Sequence, residues 1–231
     1  MNFTLKPKNV FKILSLFVVF LLIANLIGIG IRLVPGHGSV EKLIQMFDFD
    51  TEQNIPTLYS SLNLIFSAFL LLLITIQHKS IGSPYLHWLG LAMIFVFLSV
   101  DETASLHEKL GIPVREYLST SGLLFYAWVI PYMFALGILI LVYFKFLMRL
   151  PKRTMFLFVI SGFMFVAGAI GLESLSGLQA ESQGINKALY RLTYTCEEFL
   201  EMFSIVVFIY ALFDYMTSKF GALKFTIEDH K

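Results

Sequence analysis

The sequence predicts an all-α polytopic transmembrane bundle of about six helices with both termini cytoplasmic, and three observations lead there. The chain is 57% hydrophobic, 16% aromatic and only 14% charged, with a mean hydropathy of +0.77, where soluble domains carry about 25% charged residues. Apolar stretches of about 20 residues, the length that crosses a bilayer, recur six times along the 231 residues. Basic residues gather in alternate connections, as the positive-inside rule requires.

Span one covers Val10–Leu33 behind Lys6, Lys8 and Lys12. Its apolar run exceeds a signal-peptide core and no A-x-A-like cleavage site follows, so it reads as a retained helix. Asn25 is its isolated polar position. The connection Val34–Pro56 holds Pro35, Gly36 and Gly38, then VEKLIQMF with the pattern of a short interfacial helix, then the acidic FDFDTEQN, placed to lid a site. Span two is Thr57–Gln77, where Ser60, Asn63 and Ser67 form a stripe suited to hydrogen bonds between helices. Span three is Leu86–Leu106 and runs into SVDETASLHEKLG. Span four, Leu123–Leu147, is expected to kink at Pro131. Span five, Thr154–Glu173, carries Gly162, Gly168 and Gly171 for close approach to a neighbour, and Ser174–Leu189 reads as a polar loop. Span six is Arg191–Tyr215. These form one transmembrane domain over residues 1–231, without internal repeat, phosphate-binding Gly loop or G-x-S-x-G elbow.

Eleven basic residues (Lys6, Lys8, Lys12, Lys79, Lys145, Arg149, Lys152, Arg153, Lys219, Lys224, Lys231) fall on the side of the termini and six on the other (Arg32, Lys42, Lys109, Arg115, Lys187, Arg191). That asymmetry puts the termini inside. Three acidic residues (Asp214, Glu228, Asp229) share that side; the other thirteen lie outside or in the outer half of the membrane.

Seven of those thirteen sit in apolar surroundings: Asp101, Glu102 and Glu108, then Glu173, then Glu197, Glu198 and Glu201. An ionised carboxylate in hydrocarbon costs several kcal/mol unless paired, hydrated or bound to a cation. Fifteen residues precede Asp101 in span three, about 22 Å at 1.5 Å per residue, so the DETASLHE turn begins below the outer surface. Glu173 reaches the outer boundary. Glu197 and Glu201 lie about 9 Å and 15 Å down from Arg191 by the same rise. In helical phase Asp101 and Glu108 share a face with His107 at its edge, and Tyr190, Tyr194, Glu197 and Glu201 form a stripe. Like charges at i and i+4 repel, so Glu197 and Glu201 need a cation, a proton or Arg191 between them.

Several carboxylates with an imidazole in a helical bundle is the ligand chemistry of a divalent metal: iron, manganese or zinc. The expected ligands are Asp101, His107, Glu108, Glu173, Glu197 and Glu201, with Glu102 and Glu198 as the carboxylates free for catalytic proton transfer. Di-metal bundles use Glu-x-x-His spacings, whereas this chain has adjacent His107–Glu108, and a second imidazole has to come from His37. His78 and His87 lie on the inner side and His230 in the tail. Plainer readings exist: DETASLHEKLG as a helix end with Asp101 or Glu102 paired to Lys109 or Arg191, Glu173 as solvated, the tyrosines as packing residues. Cys196 points away from the stripe as a structural thiol.

The DE-x4-HE segment at Asp101–Glu108, the G-x-E at Glu173 and the EE-x2-EM at Glu197–Met202 resemble a widespread group of small bacterial integral-membrane proteins without an established activity. The resemblance implies a bacterial inner (cytoplasmic) membrane and carries no reaction. A weaker resemblance is to ceramidase-like membrane hydrolases, which hold zinc with three histidines where this cluster has one. Three functions follow from the residues: a metal-dependent oxidoreductase or hydrolase acting on a lipid or other apolar small molecule, a cation- or proton-coupled transporter using the carboxylates as a relay, and a non-catalytic membrane assembly partner. The bilayer is the expected partner and nucleic acid is not. Substrate, metal identity and oligomeric state are not legible in the sequence.

Overall fold

The computed structural model describes residues 6–185 and 187–221, apart from the side chains of His37 and Gln183. Expectations that rest on the His37 imidazole, or on Lys224, Glu228, Asp229, His230 and Lys231, lie outside the described residues. Those residues are helical with no strand, and six of their helical stretches are long and apolar enough to cross a membrane.

Helix α1, Pro7–Arg32, starts with Pro at its first position, where no backbone donor is lost. A 3-10 turn at His37–Ser39 and the short α2, Glu41–Gln45, follow. Helix α3, Ile55–Ser80, is capped by Asn54, whose side chain accepts from the Thr57 amide at 3.1 Å. Helix α4, Leu86–Ala104, stops two residues short of the expected end because Ser105 turns left-handed, at φ 50° and ψ 46°. The chain re-enters helix at once as α5, Leu106–Leu118, which the sequence did not suggest. Asp101 makes this possible: its Oδ1 accepts from the His107 amide at 2.8 Å and so caps the new helix.

Residues expected to open span four form a 3-10 turn at Gly122–Leu124, and α6 runs only from Val129 to Met148. Pro131 therefore falls in the first turn, where its missing amide has no intrahelical partner to lose. Helix α7, Lys152–Val166, passes through a π-helical segment, Ala167–Leu172, into α8, Glu173–Gln183. Most of the expected loop Ser174–Leu189 is thus helix, and Glu173 lies inside a continuous helical path. Helix α9, Ala188–Phe220, closes the fold.

Helix α9 is the axis, packing on α1, α3, α7, the π segment and α8, while α3 pairs with α4. At the end carrying Lys79, Lys145 and Lys152, Leu71, Ile74, Trp88, Ile209 and Leu212 form the main apolar core. Toward the other end Val18, Leu21, Phe49, Met202 and Val206 form a second. In a bilayer apolar surface alone does not choose partners, so polar ties matter. Asn25 donates to Thr195 Oγ1 at 3.1 Å and accepts from the Phe49 amide at 3.1 Å, joining α1, α9 and the loop between α2 and α3. Arg32 Nη1 meets Asp48 at 2.5 Å and Nη2 meets Glu41 at 2.7 Å. The α3–α4 tie is Ser61 with Ser99, 2.9 Å apart, joined by Thr103. The expected stripe does not bridge helices, since Asn63 bonds to the Tyr59 carbonyl and Ser67 to that of Asn63 within α3.

Candidate functional site

A cavity of about 180 Å³ opens at the end of the bundle opposite the main core. Each of the eight site residues expected from the sequence lines it: Asp101 and Glu102 from α4, His107 and Glu108 from α5, Glu173 from α8, and Glu197, Glu198 and Glu201 from α9. The loop between α2 and α3 adds Asp50 and Glu52, which sequence reasoning had placed in a lid and not in the site. Nine carboxylates and one imidazole therefore share one space, with no Lys or Arg among its described lining residues.

The backbone explains the convergence. The π segment holds one residue more per turn than an α-helix, and it ends where Glu173 begins. Gly168 within it lies directly on α9: a Cβ there would stand 2.9 Å from Glu201 Cγ and 3.0 Å from the Glu197 carbonyl oxygen. Gly162 and Gly171, expected to serve the same purpose, face open space. On the far wall, Gly111 of α5 is buried against Trp128, whose amide nitrogen would be 3.2 Å from an added Cβ.

Asp101 is fully engaged. Its Oδ1 accepts from the His107 amide, with His107 Nδ1 3.4 Å away, and its Oδ2 accepts from Tyr132 Oη at 2.8 Å. The other ring nitrogen of His107 meets Glu52 Oε1 at 3.3 Å. Burial alone would lower the pKa of this imidazole, but hydrogen bonds to Asp101 and Glu52 outweigh it and push the value up to about 11. Each ring nitrogen of His107 thus faces a carboxylate oxygen, and neither is free as a ligand in this arrangement. Trp128 Nε1 donates to Glu173 Oε1 at 3.1 Å, and Ser176 donates to Glu197 Oε2 at 3.3 Å.

The nine acids fall into two groups. Glu102, Glu108, Glu198 and Glu201 have no protein hydrogen-bond donor among the described residues, whereas Asp50, Asp101, Glu173 and Glu197 accept hydrogen bonds and Glu52 lies against His107. Among the described residues no three His, Cys, Asp or Glu groups close on one point as a preformed metal site would. Arg191 and Lys109 stay outside: Arg191 does not line the cavity, and Lys109 Nζ donates to the Ala104 carbonyl at 2.6 Å. Tyr126, Trp128 and Tyr132 were not anticipated. Trp128 and Tyr132 are four residues apart at the start of an apolar helix, a pairing that signals a shared face.

The fold and the cavity define a multi-pass, all-helical protein of membrane-spanning composition with an acid-lined pocket at one end. The chain belongs to the family described as domain of unknown function DUF8692, whose model matches residues 13–216. No curated protein and no solved structure matches it.

Proposed function

We propose that this is an inner-membrane protein with cytoplasmic termini whose outward-facing cavity binds a divalent metal, and that it is a metal-dependent enzyme acting on a lipid or other apolar substrate. The observation that carries the reading is the charge of the cavity: nine carboxylates against one imidazole. Two carboxylates 6 Å apart repel by about 3 kcal/mol at an effective dielectric of about 20, so this many must be neutralised by cations or protons. Basic residues concentrated at the opposite end support the outward orientation by the positive-inside rule.

Glu102, Glu108, Glu198 and Glu201 are the residues suited to hold the metal, because their oxygens are committed to nothing else. This differs from the assignment by spacing, in which Glu102 and Glu198 were the proton-transfer pair. An all-oxygen set with His107 occupied favours manganese or iron over zinc. When bound, such a metal supplies Lewis-acid polarisation or an activated water. The chain's own part is to orient: Asp101 and Glu52 fix His107, Trp128 fixes Glu173, and Glu173 and Glu197 are left to accept or return protons. A transporter is less well supported, because Leu71, Ile74, Trp88, Ile209 and Leu212 fill the path from the cavity to the basic end.

The test is elemental analysis of the purified protein beside Glu201→Gln. The expected result is manganese or iron near one per chain in the wild type, loss in the variant, and a melting temperature that added metal raises only in the wild type. Identical metal content and identical melting with and without chelator would end the proposal.

A further inference from the structure

Three aromatic side chains around the cavity are each tied to an acid. Trp128 donates to Glu173 at 3.1 Å, Tyr132 to Asp101 at 2.8 Å, and Tyr190 to Asp50 at 2.7 Å. A ring whose N–H or O–H is donated to an anion is fixed in orientation and presents an electron-rich face. Beside two of these rings lies the His107 ring, 4.9 Å from Trp128 and 6.5 Å from Tyr132 between centroids, with Asp101 and Glu52 at its two nitrogens. The molecule therefore already packs one planar nitrogen ring among aromatic rings and carboxylates, and the cavity beside it has room for more.

A bare divalent ion gains nothing from aromatic walls, because oxygen ligands satisfy it. An organic ammonium group, weakly hydrated and too large for tight ligation, is held by ring faces together with nearby acids. Toward the main core the same cavity is walled by Leu64, Leu98 and Phe165, which suit the apolar part of an amphiphile.

We propose that Trp128 and Tyr132, with Glu52 and Glu173, bind the organic ammonium group of the substrate. This rests on the reading of the cavity as a cation site. It names the substrate class as an amine or quaternary amine, carried on a lipid headgroup or free.

The experiment is a titration of the purified full chain in dodecyl maltoside with tetramethylammonium chloride, against sodium chloride at equal ionic strength. The readout is tryptophan fluorescence. Of the two tryptophans only Trp128 lines the cavity, Trp88 being in the core at the other end. The expected result is a saturable change with tetramethylammonium alone, absent in Trp128→Phe and shifted to several-fold higher concentration in Glu52→Gln. Glu52 lies in the loop between α2 and α3 with its side chain 30% exposed, so that variant tests binding even where Trp128→Phe fails to fold. Nanodiscs separate the sources: a response abolished in phosphatidylcholine but kept in phosphatidylglycerol assigns a lipid headgroup, and equal responses assign a free amine. Tetramethylammonium indistinguishable from sodium, or a response unaltered by Glu52→Gln, overturns the inference. Metal content of the same samples keeps the two proposals apart. Metal with no ammonium response defeats only this one, and an ammonium response in metal-free protein defeats only the metal.

Discussion

Gly168→Ala is the sharpest test of how the carboxylates are brought together. The added Cβ meets Glu201 Cγ at 2.9 Å, the Glu197 carbonyl oxygen at 3.0 Å and Leu200 Cβ at 3.4 Å. The Glu201 side chain can rotate away, but the carbonyl is fixed in the α9 backbone, so the π segment must move outward. Overpacking of this kind costs about 1–3 kcal/mol, and replacing a helical Gly by Ala returns about 1 kcal/mol. The net loss is about 0–2 kcal/mol, and relative to a glycine that gains the propensity without a clash the deficit is about 1–3 kcal/mol, which for a chain this long is a melting temperature lower by roughly 2–12 °C. Gly162→Ala and Gly171→Ala carry the same propensity gain with nothing within 4 Å to clash against. Thermal unfolding of the three variants in one detergent is the assay. Gly168→Ala is expected to melt low while the other two melt at or above the wild type. Equal behaviour of Gly168→Ala and Gly171→Ala would refute the close approach of the π segment to α9.

Other tests follow from the ties. Asn25→Ala leaves the buried Phe49 amide without its acceptor and should cost about 1–3 kcal/mol; an unchanged melting temperature would show that the loop is not anchored through α1. The folded-state pKa of His107 is raised above its ordinary 6.5 to about 11, so its contribution to stability is complete below pH 6.5 and lost as pH rises toward 11. Metal-stripped wild type should therefore lose stability faster across that window than His107→Gln, and parallel pH profiles would deny the bridged imidazolium. Reporter tags in the Arg149–Lys152 turn should read cytoplasmic and a tag at Gly184 external; the reverse would invert the proposed orientation.

The six spans were legible because membrane composition is a property of whole segments and survives errors in detail. Their ends were not. Helix α5 was hidden because its mixed sequence LHEKLGIPVREYL lacks an apolar run, and because Ser105 had to turn left-handed before Asp101 could cap it. The helical path through Glu173 to Gln183 was hidden because a polar helix resting on α9 looks like a loop in sequence. The carboxylates of α9 were readable from phase alone, since one unbroken helix fixes their relation. Asp50 and Glu52 were not, because their entry depends on the loop being drawn in by Asn25 and Arg32, contacts made by residues 16 to 24 positions away. The serine stripe misled for the opposite reason: Asn63 and Ser67 found acceptors in their own helix, which sequence cannot distinguish from bonds to a neighbour.

The union of the first and last helices bears on how the chain is assembled. Asn25 and Thr195 are 170 residues apart, so the tie between α1 and α9 waits for α9 to leave the ribosome and enter the bilayer. Until then Asp101 has His107 and Tyr132, but Glu102 has no completed pocket to hydrate it, and its cost in lipid stands uncompensated. The α4 end is therefore expected to sit shallow at first and to settle only when the final span arrives. A chain arrested before α9 would be a poorly inserted intermediate, exposed to the membrane's quality-control proteases, and not a smaller working unit.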